Sequence, residues 1–381
     1  MGFFDYPFVA VEDGREGDSR RFPRHQEVLR YLEDFARDFE VLEVVRFRTE
    51  VVRVEMEEEG KWAVRWRRVA AGEDGGGEIT GGGEDQVEEE EEEEIYDGVV
   101  VCNGHYTEPR LAAIPGIDIW PGKQMHSHNY RVPEPFRDQV VVIIGSAASA
   151  VDISNEIAQF AKEVHVASRS DTEGTPKRQP GYGNLWLHSM IESTHEDGTV
   201  VFQDGSSTHV DVIMHCTGYK YHFPFLQTHG IVTVDDNRVG PLYKHVFPPA
   251  LVPYLSFIGI PWKVAPFPLV ELQSKWVAAV LSGRVSLPTR KVMMEDVDAF
   301  YKELETAGYP KRYTHIMTNY QYEYIDWLAN ECGYPPTEEW RKLMYKATSK
   351  NRKERPGSYR DEWDDDHLVA QAHEYFKRFF K

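Results

Sequence analysis

The stretch VVVIIGSAASAVDIS, Val140 to Ser154, decides how the rest of the chain is read. An apolar run ends at a glycine, small residues follow, and apolar residues then recur at helical spacing. That switch of period across a tight turn is the layout of a dinucleotide-binding strand–turn–helix. Gly145, Ala147 and Ala150 take its three glycine positions. The first permits the turn, the second lets backbone approach a pyrophosphate, and the third lets the helix pack closely on the sheet. Alanine suffices at the third. At the second its methyl pushes a phosphate outward, whereas Ser146 and Ser149 offer hydroxyls beside a helix N-terminus that favours an anion. The competing reading is a ligand-free strand–turn–helix of any α/β domain.

The next apolar stretch, VHVASRS, favours the nucleotide. It places Ser168 and Arg169 about 20 residues beyond the turn, where an NAD site expects an acid for the ribose hydroxyl. A cation there suits a 2′-phosphate, so the expected nucleotide is NADPH. A surface arginine at a strand end is the alternative.

Composition bounds the remainder. The 381 residues are 41% hydrophobic, enough for a large core and more than one domain. The net charge is −20, but twelve of the negative charges lie in AGEDGGGEITGGGEDQVEEEEEEE, residues 71–94, and without them it is −8. That balance argues against nucleic acid as a partner. The Gly/Glu tract has no apolar periodicity and is expected to be a disordered insertion extending a surface hairpin between KWAVRWRRV and EIYDGVVVC. No apolar run reaches the roughly 18 residues of a membrane span, and the N-terminus lacks a basic-then-apolar leader. Tyr6 stands where a myristoylation signal wants Ser or Thr. Cys102, Cys216 and Cys332 form neither a C-x-x-C pair nor a metal-ligand pattern, which implies a reducing compartment. A cytoplasmic protein is expected.

From Val140 onward strands and helices alternate, predicting a parallel sheet, and beyond LSFIGIP the pattern becomes helical. An internal echo relates two segments: DGVVVCNGHY (97–106) and DVIMHCTGYK (211–220) share Asp, apolar-leaning positions, Cys, one residue and Gly. Two sibling nucleotide-binding domains would explain it; coincidence between two buried strands is the alternative.

Between the echoed segments lies WPGKQMHSHNY, Trp120 to Tyr130. Its His126 and His128 have no third ligand at metal spacing, so no metal is expected. This segment resembles the F-x-G-x-x-x-H-x-x-x-Y signature of flavin-containing monooxygenases, with Trp120 for Phe and Gly122, His126 and Tyr130 matching. GSAASA resembles that family's second glycine motif, CNGH and CTGY its interdomain segments, and PFPLVELQSKW its C-terminal flavin-domain segment. The wording is nearest to the plant branch likened to glucosinolate S-oxygenases, and the resemblance covers essentially the whole chain.

The resemblance implies an α/β fold of two Rossmann-like domains. The FAD domain would be discontinuous, residues 1–115 and 248–381, around an NADPH domain at 116–247. It implies a monooxygenase using FAD, NADPH and O2 on thioether or amine substrates, with no catalytic acid, base or nucleophile required, since the cofactor carries the chemistry. Gly145, Ser146, Ala147, Ser149 and Ala150 would meet the pyrophosphate, Ser168 and Arg169 the 2′-phosphate. Thr217 and Gly218 would face cofactor at the domain interface; Thr49, Val51, Val52, Asn103, Gly104, His105 and Gln273 would surround FAD. The family opens with a first G-x-G-x-x-G turn for FAD, which this sequence lacks, so an N-terminally truncated FAD domain without its first β–α unit is expected. The rival is a non-catalytic remnant that binds NADPH weakly or only a partner. A flavin disulfide reductase would need a redox cysteine pair, which is absent.

Overall fold

The computed structural model describes residues 2–8, 22–57, 60–69, 91–169, 176–318, 320–355 and 358–377. The chain divides into a contiguous unit, His105–His222, and a discontinuous one formed by Met1–Gly104 with Phe223–Lys381. The sequence reading set the boundaries after residues 115 and 247. Residues 223–247 instead group with the discontinuous unit, because Leu226 pairs with Val54 and Tyr243, Val246 and Phe247 join its helical core.

The contiguous unit is built on a six-stranded sheet. Its order is Lys123–His126, Val212–His215, Val140–Ile144, Glu163–Ala167, Leu185–His188 and Lys177–Arg178. All neighbours are parallel except the last pair. Val140–Ile144 is buried along its whole length, which is why its sequence is an unbroken apolar run. Val141 and Ile143 cluster with Ala150, Ile153 and Ile157 of the helix Ala148–Ile157. Val140, Val142 and Ile144 cluster on the other side with Ile191, Val200 and Phe202. Those three come from an antiparallel sheet of Ile191–Thr194, Thr199–Phe202 and Ser207–His209, with a turn at Asp204–Gly205 between its last two strands. Helix, parallel sheet and meander make three layers around two apolar interfaces.

The discontinuous unit holds a sheet of Leu226–Gln227, Thr49–Met56, Trp62–Arg68 and Glu92–Tyr96, antiparallel except for its first pair. The Trp62 and Glu92 strands are the hairpin expected around the acidic tract. The assignment of residues 71–94 to a loop is corrected at its end: Glu92, Glu93 and Glu94 belong to the strand. Arg65 Nε donates to Glu93 at 2.6 Å and Arg46 Nη1 to Glu94 at 2.7 Å, so cations facing this side give the glutamates partners. The rest of the tract, 71–90, lies outside the described residues. A parallel pair, Val99–Val101 with Leu255–Phe257, and a core on the helices Pro266–Leu281, Arg290–Thr306 and Gln321–Glu331 complete this unit's main packing. Between residues 29 and 47 the side chains of Leu29, Leu32, Phe39, Leu42, Val44, Val45 and Phe47 are exposed. Among the described residues, no strand–glycine turn–helix precedes the Thr49 strand. No described helix is long and apolar enough to cross a membrane.

Candidate functional site

The Gly145 turn closes against the neighbouring strand end. Gly145 has φ +126°, its N–H donates to Ala167 O at 2.9 Å, and a Cβ built on it would lie 2.5 Å from Cys216 O. Both the backbone conformation and the space demand glycine. Ala147 has φ −84° and ψ −175°, ordinary extended backbone, so its methyl costs no backbone strain. Ala150 is fully buried against the sheet, the close helix packing expected of the third position.

Residues 146–149 are exposed, and the helix that Ala147 caps has no side-chain cap at its N-terminus. The first amides of any helix lack intrahelical acceptors, so here they point at solvent with the positive end of the dipole behind them. One strand over, Ser168 is buried and its N–H donates to His188 O at 3.1 Å, while Arg169 is exposed at the strand end. The structure thus brings Gly145, the serines and Arg169 to the C-terminal edge of two adjacent parallel strands, where open α/β sheets bind ligands.

The 120–130 segment ties this edge together. Trp120 is buried beneath Gly122, whose Cβ would meet its ring at 2.2 Å. His126 Nδ1 accepts from His128 N–H at 3.0 Å, so Nε2 carries the proton and donates to Gly218 O at 3.0 Å. Burial holds the His126 pKa below the ordinary histidine range, favouring this neutral tautomer. Tyr130 donates to Glu156 on the Ala148–Ile157 helix at 2.8 Å. One short segment therefore reaches the residues after the Val212 strand and the helix after the Val140 strand. The sequence marked His126 and Tyr130 only as signature positions; their partners lie far along the chain and are invisible locally.

Thr217 Oγ1 donates to Arg110 O, and Gly218 O also accepts from Arg110 N–H at 3.0 Å. Next to this loop, His215 is buried, accepts from Ala112 N–H at 3.2 Å and has its pKa pushed down to about 4 by burial and then by His126. It is neutral at physiological pH.

In the discontinuous unit the expected flavin residues are scattered. Asn103 and Gly104 are exposed at the end of the Val99–Val101 strand, and the echo holds there: Gly104 has φ +75° and Gly218 φ +81°. Thr49 and Val51 lie along one strand, with Val52 in a bulge between Val51 and Arg53. Gln273 is fully buried: its Oε1 accepts from Gly259 N–H at 2.9 Å and its Nε2 donates to Tyr324 at 3.0 Å. That amide braces the turn at Gly259. His105 falls in the contiguous unit, with its ring 4.2 Å from that of Tyr106.

Sheet order, turn and exposed helix end are those of a Rossmann-like α/β architecture. A family profile described as flavin-binding monooxygenase-like matches residues 1–175 and 180–346. The chain belongs to that family, the flavin-containing monooxygenases. It is 59% identical over 378 residues to "Flavin-containing monooxygenase FMO GS-OX-like 3" of Arabidopsis thaliana, covering 99% of this chain and 81% of that one. The solved structure of S-allyl-L-cysteine S-oxygenase from Allium sativum superposes with a TM-score of 0.91 at 69% identity, covering 99% of this chain and 82% of that one. Tmm from Pelagibacter sp. strain HTCC7211 shares the fold, with a TM-score of 0.75 at 24% identity over 95% and 76% of the two chains. The family's enzymes use FAD and NADPH, as expected from the sequence.

The residues present fit NADPH, since the Gly145 cradle admits no side chain and an uncapped helix end and a cation flank it. For FAD, the described residues of the discontinuous unit offer no second turn of that kind, and no phosphate contact is assigned there.

Proposed function

We propose that the chain is an NADPH- and O2-dependent S-oxygenase acting on thioethers such as S-allyl-L-cysteine. In balance, thioether, O2, NADPH and a proton give sulfoxide, NADP+ and water. NADPH supplies the electron pair and FAD the oxygen-activating ring; the protein binds, orients and excludes water. Arg169 takes the 2′-phosphate with Ser168 beside it. The open amides of the Ala148 helix and the hydroxyls of Ser146 and Ser149 take the pyrophosphate, with Gly145 admitting it closely. Thr217 and Gly218 then lie toward the nicotinamide, and His126, by holding Gly218 O, fixes that loop. The observation that supports this most directly is the Gly145–Cys216 crossing beside an uncapped helix end, in a chain so similar to an S-oxygenase.

The test supplies the purified chain with FAD, NADPH and S-allyl-L-cysteine and follows sulfoxide by mass spectrometry beside NADPH consumption. One sulfoxide per NADPH, with NADH much poorer, is expected. NADPH oxidation that yields only hydrogen peroxide with every thioether tried would sink the S-oxygenase reading.

A further inference from the structure

Five aromatic rings of the contiguous unit form a continuous series just past the nucleotide turn. Tyr221 lies 5.3 Å from His105, His105 4.2 Å from Tyr106, Tyr106 5.3 Å from Tyr219, and Tyr219 5.0 Å from His126. The successive rings are inclined to one another at 51° to 75°. A short antiparallel pair, Tyr219–Lys220 with Glu108–Pro109, joins the two chain segments that carry four of these rings. Tyr221 and His126 are buried and serve as its floor, yet Tyr106 keeps 59% of its surface exposed. A ring placed among other rings and left open to solvent adds little to the core it touches.

Its position in the sheet gives it a role. The Arg169, Gly145 and Gly218 ends belong to three adjacent parallel strands, in that order. A dinucleotide laid with its 2′-phosphate on Arg169 and its pyrophosphate on Gly145 therefore runs toward Gly218, and Tyr219 is the next residue. The aromatic series begins where the nucleotide's reactive end arrives. His126 contributes no positive charge, because its Nδ1 accepts a hydrogen bond and burial disfavours the charged ring, and no carboxylate belongs to the series. The rings are polarisable, which suits a thioether sulfur, an atom that favours ring edges about 5 Å away.

We propose that Tyr106 and Tyr219 form a soft-atom subsite that receives the substrate's thioether, with Tyr106 a specificity-determining residue. The proposal rests on the S-oxygenase reading and deepens it by naming where the sulfur sits. The ring of Tyr106, not its hydroxyl, carries the interaction.

Binding is measured without turnover, by saturation-transfer NMR titration of allyl methyl sulfide onto the purified chain, with NADPH titrated separately by tryptophan fluorescence. Tyr106→Phe should bind the sulfide within about twofold of wild type, and Tyr106→Ala roughly three- to tenfold more weakly. NADPH affinity should be unchanged in both. Equal sulfide binding by Tyr106→Ala and wild type, or no sulfide binding by wild type, overturns the subsite. So does a Tyr106→Ala loss of NADPH affinity as large as the loss for sulfide, because the ring would then serve the nucleotide. Sulfide that binds in a Tyr106-dependent way but is never oxygenated would support the subsite and count against the reaction alone.

Discussion

The carbonyl oxygen of Cys216 occupies the space a side chain on Gly145 would need, 2.5 Å from its Cβ position. The two residues end neighbouring strands, and Cys216 N–H in turn donates to Ile144 O at 2.9 Å. Backbone, not a flexible side chain, blocks the way. Gly145→Ala should therefore cost about 2–4 kcal/mol of stability, from a positive φ and a forced shift of the Val212 strand end. Urea unfolding of the variant measures this. A loss below about 0.5 kcal/mol would mean the crossing relaxes freely.

Arg169→Ala should weaken NADPH selectively. A charge-assisted phosphate contact is lost, so NADPH affinity falls roughly 10- to 100-fold while NADH affinity stays put. Calorimetric titration of both nucleotides decides it, and equal losses would remove Arg169 from the 2′-phosphate.

Stability should fall as the pH drops from about 6.5 toward 4. His215 and His165 are both pushed down to about 4, chiefly by burial, whereas in the unfolded chain they ionise at the ordinary histidine value. A group whose folded pKa is depressed stabilises fully above its unfolded pKa and loses that contribution as pH falls through the folded one. Thermal midpoints across this window should drop steeply, and His215→Gln should flatten the slope. An unchanged slope in that variant would assign the transition to other groups.

Replacing residues 71–90 with a short Gly-Ser connection should leave the unfolding midpoint nearly unchanged, because loop-closure entropy varies slowly with length. Extending the replacement through Glu94 should lower it. That second deletion removes most of a strand paired with Trp62–Arg68, whereas the exposed ion pairs of Glu93 and Glu94 are individually worth little. Equal midpoints for the two deletions would show that the edge strand is dispensable.

Much of this was legible in the sequence where one segment carries its own pattern. The Val140 strand, its glycine turn and its helix are contiguous, so periodicity and small residues announce them. The echo at Gly104 and Gly218 was legible for the same reason. His126 was not, because its partner Gly218 O is brought near only by strand pairing between Lys123–His126 and Val212–His215. Gln273 matched a flavin-domain segment, but burial spends its amide on Gly259 and Tyr324. Glu92–Glu94 looked like the end of a low-complexity tract until Arg46 and Arg65 supplied partners. The stretch VLEVVRF, 41–47, is apolar enough for a core, yet the structure leaves most of it open. Nothing local to it signals that.

The division of the chain into one contiguous and one interrupted unit fixes an order of assembly. On a ribosome, His105–His222 has all its strands as soon as it emerges and can fold as a body. The interrupted unit cannot. Val54 must await Leu226, and Val100 must await Ser256, each emerging only after the whole inserted unit has been made. Until then the three strands Thr49–Met56, Trp62–Arg68 and Glu92–Tyr96 and the lone Val99–Val101 strand are nascent β-structure with open edges, a state that invites chaperone capture or pairing between neighbouring nascent chains.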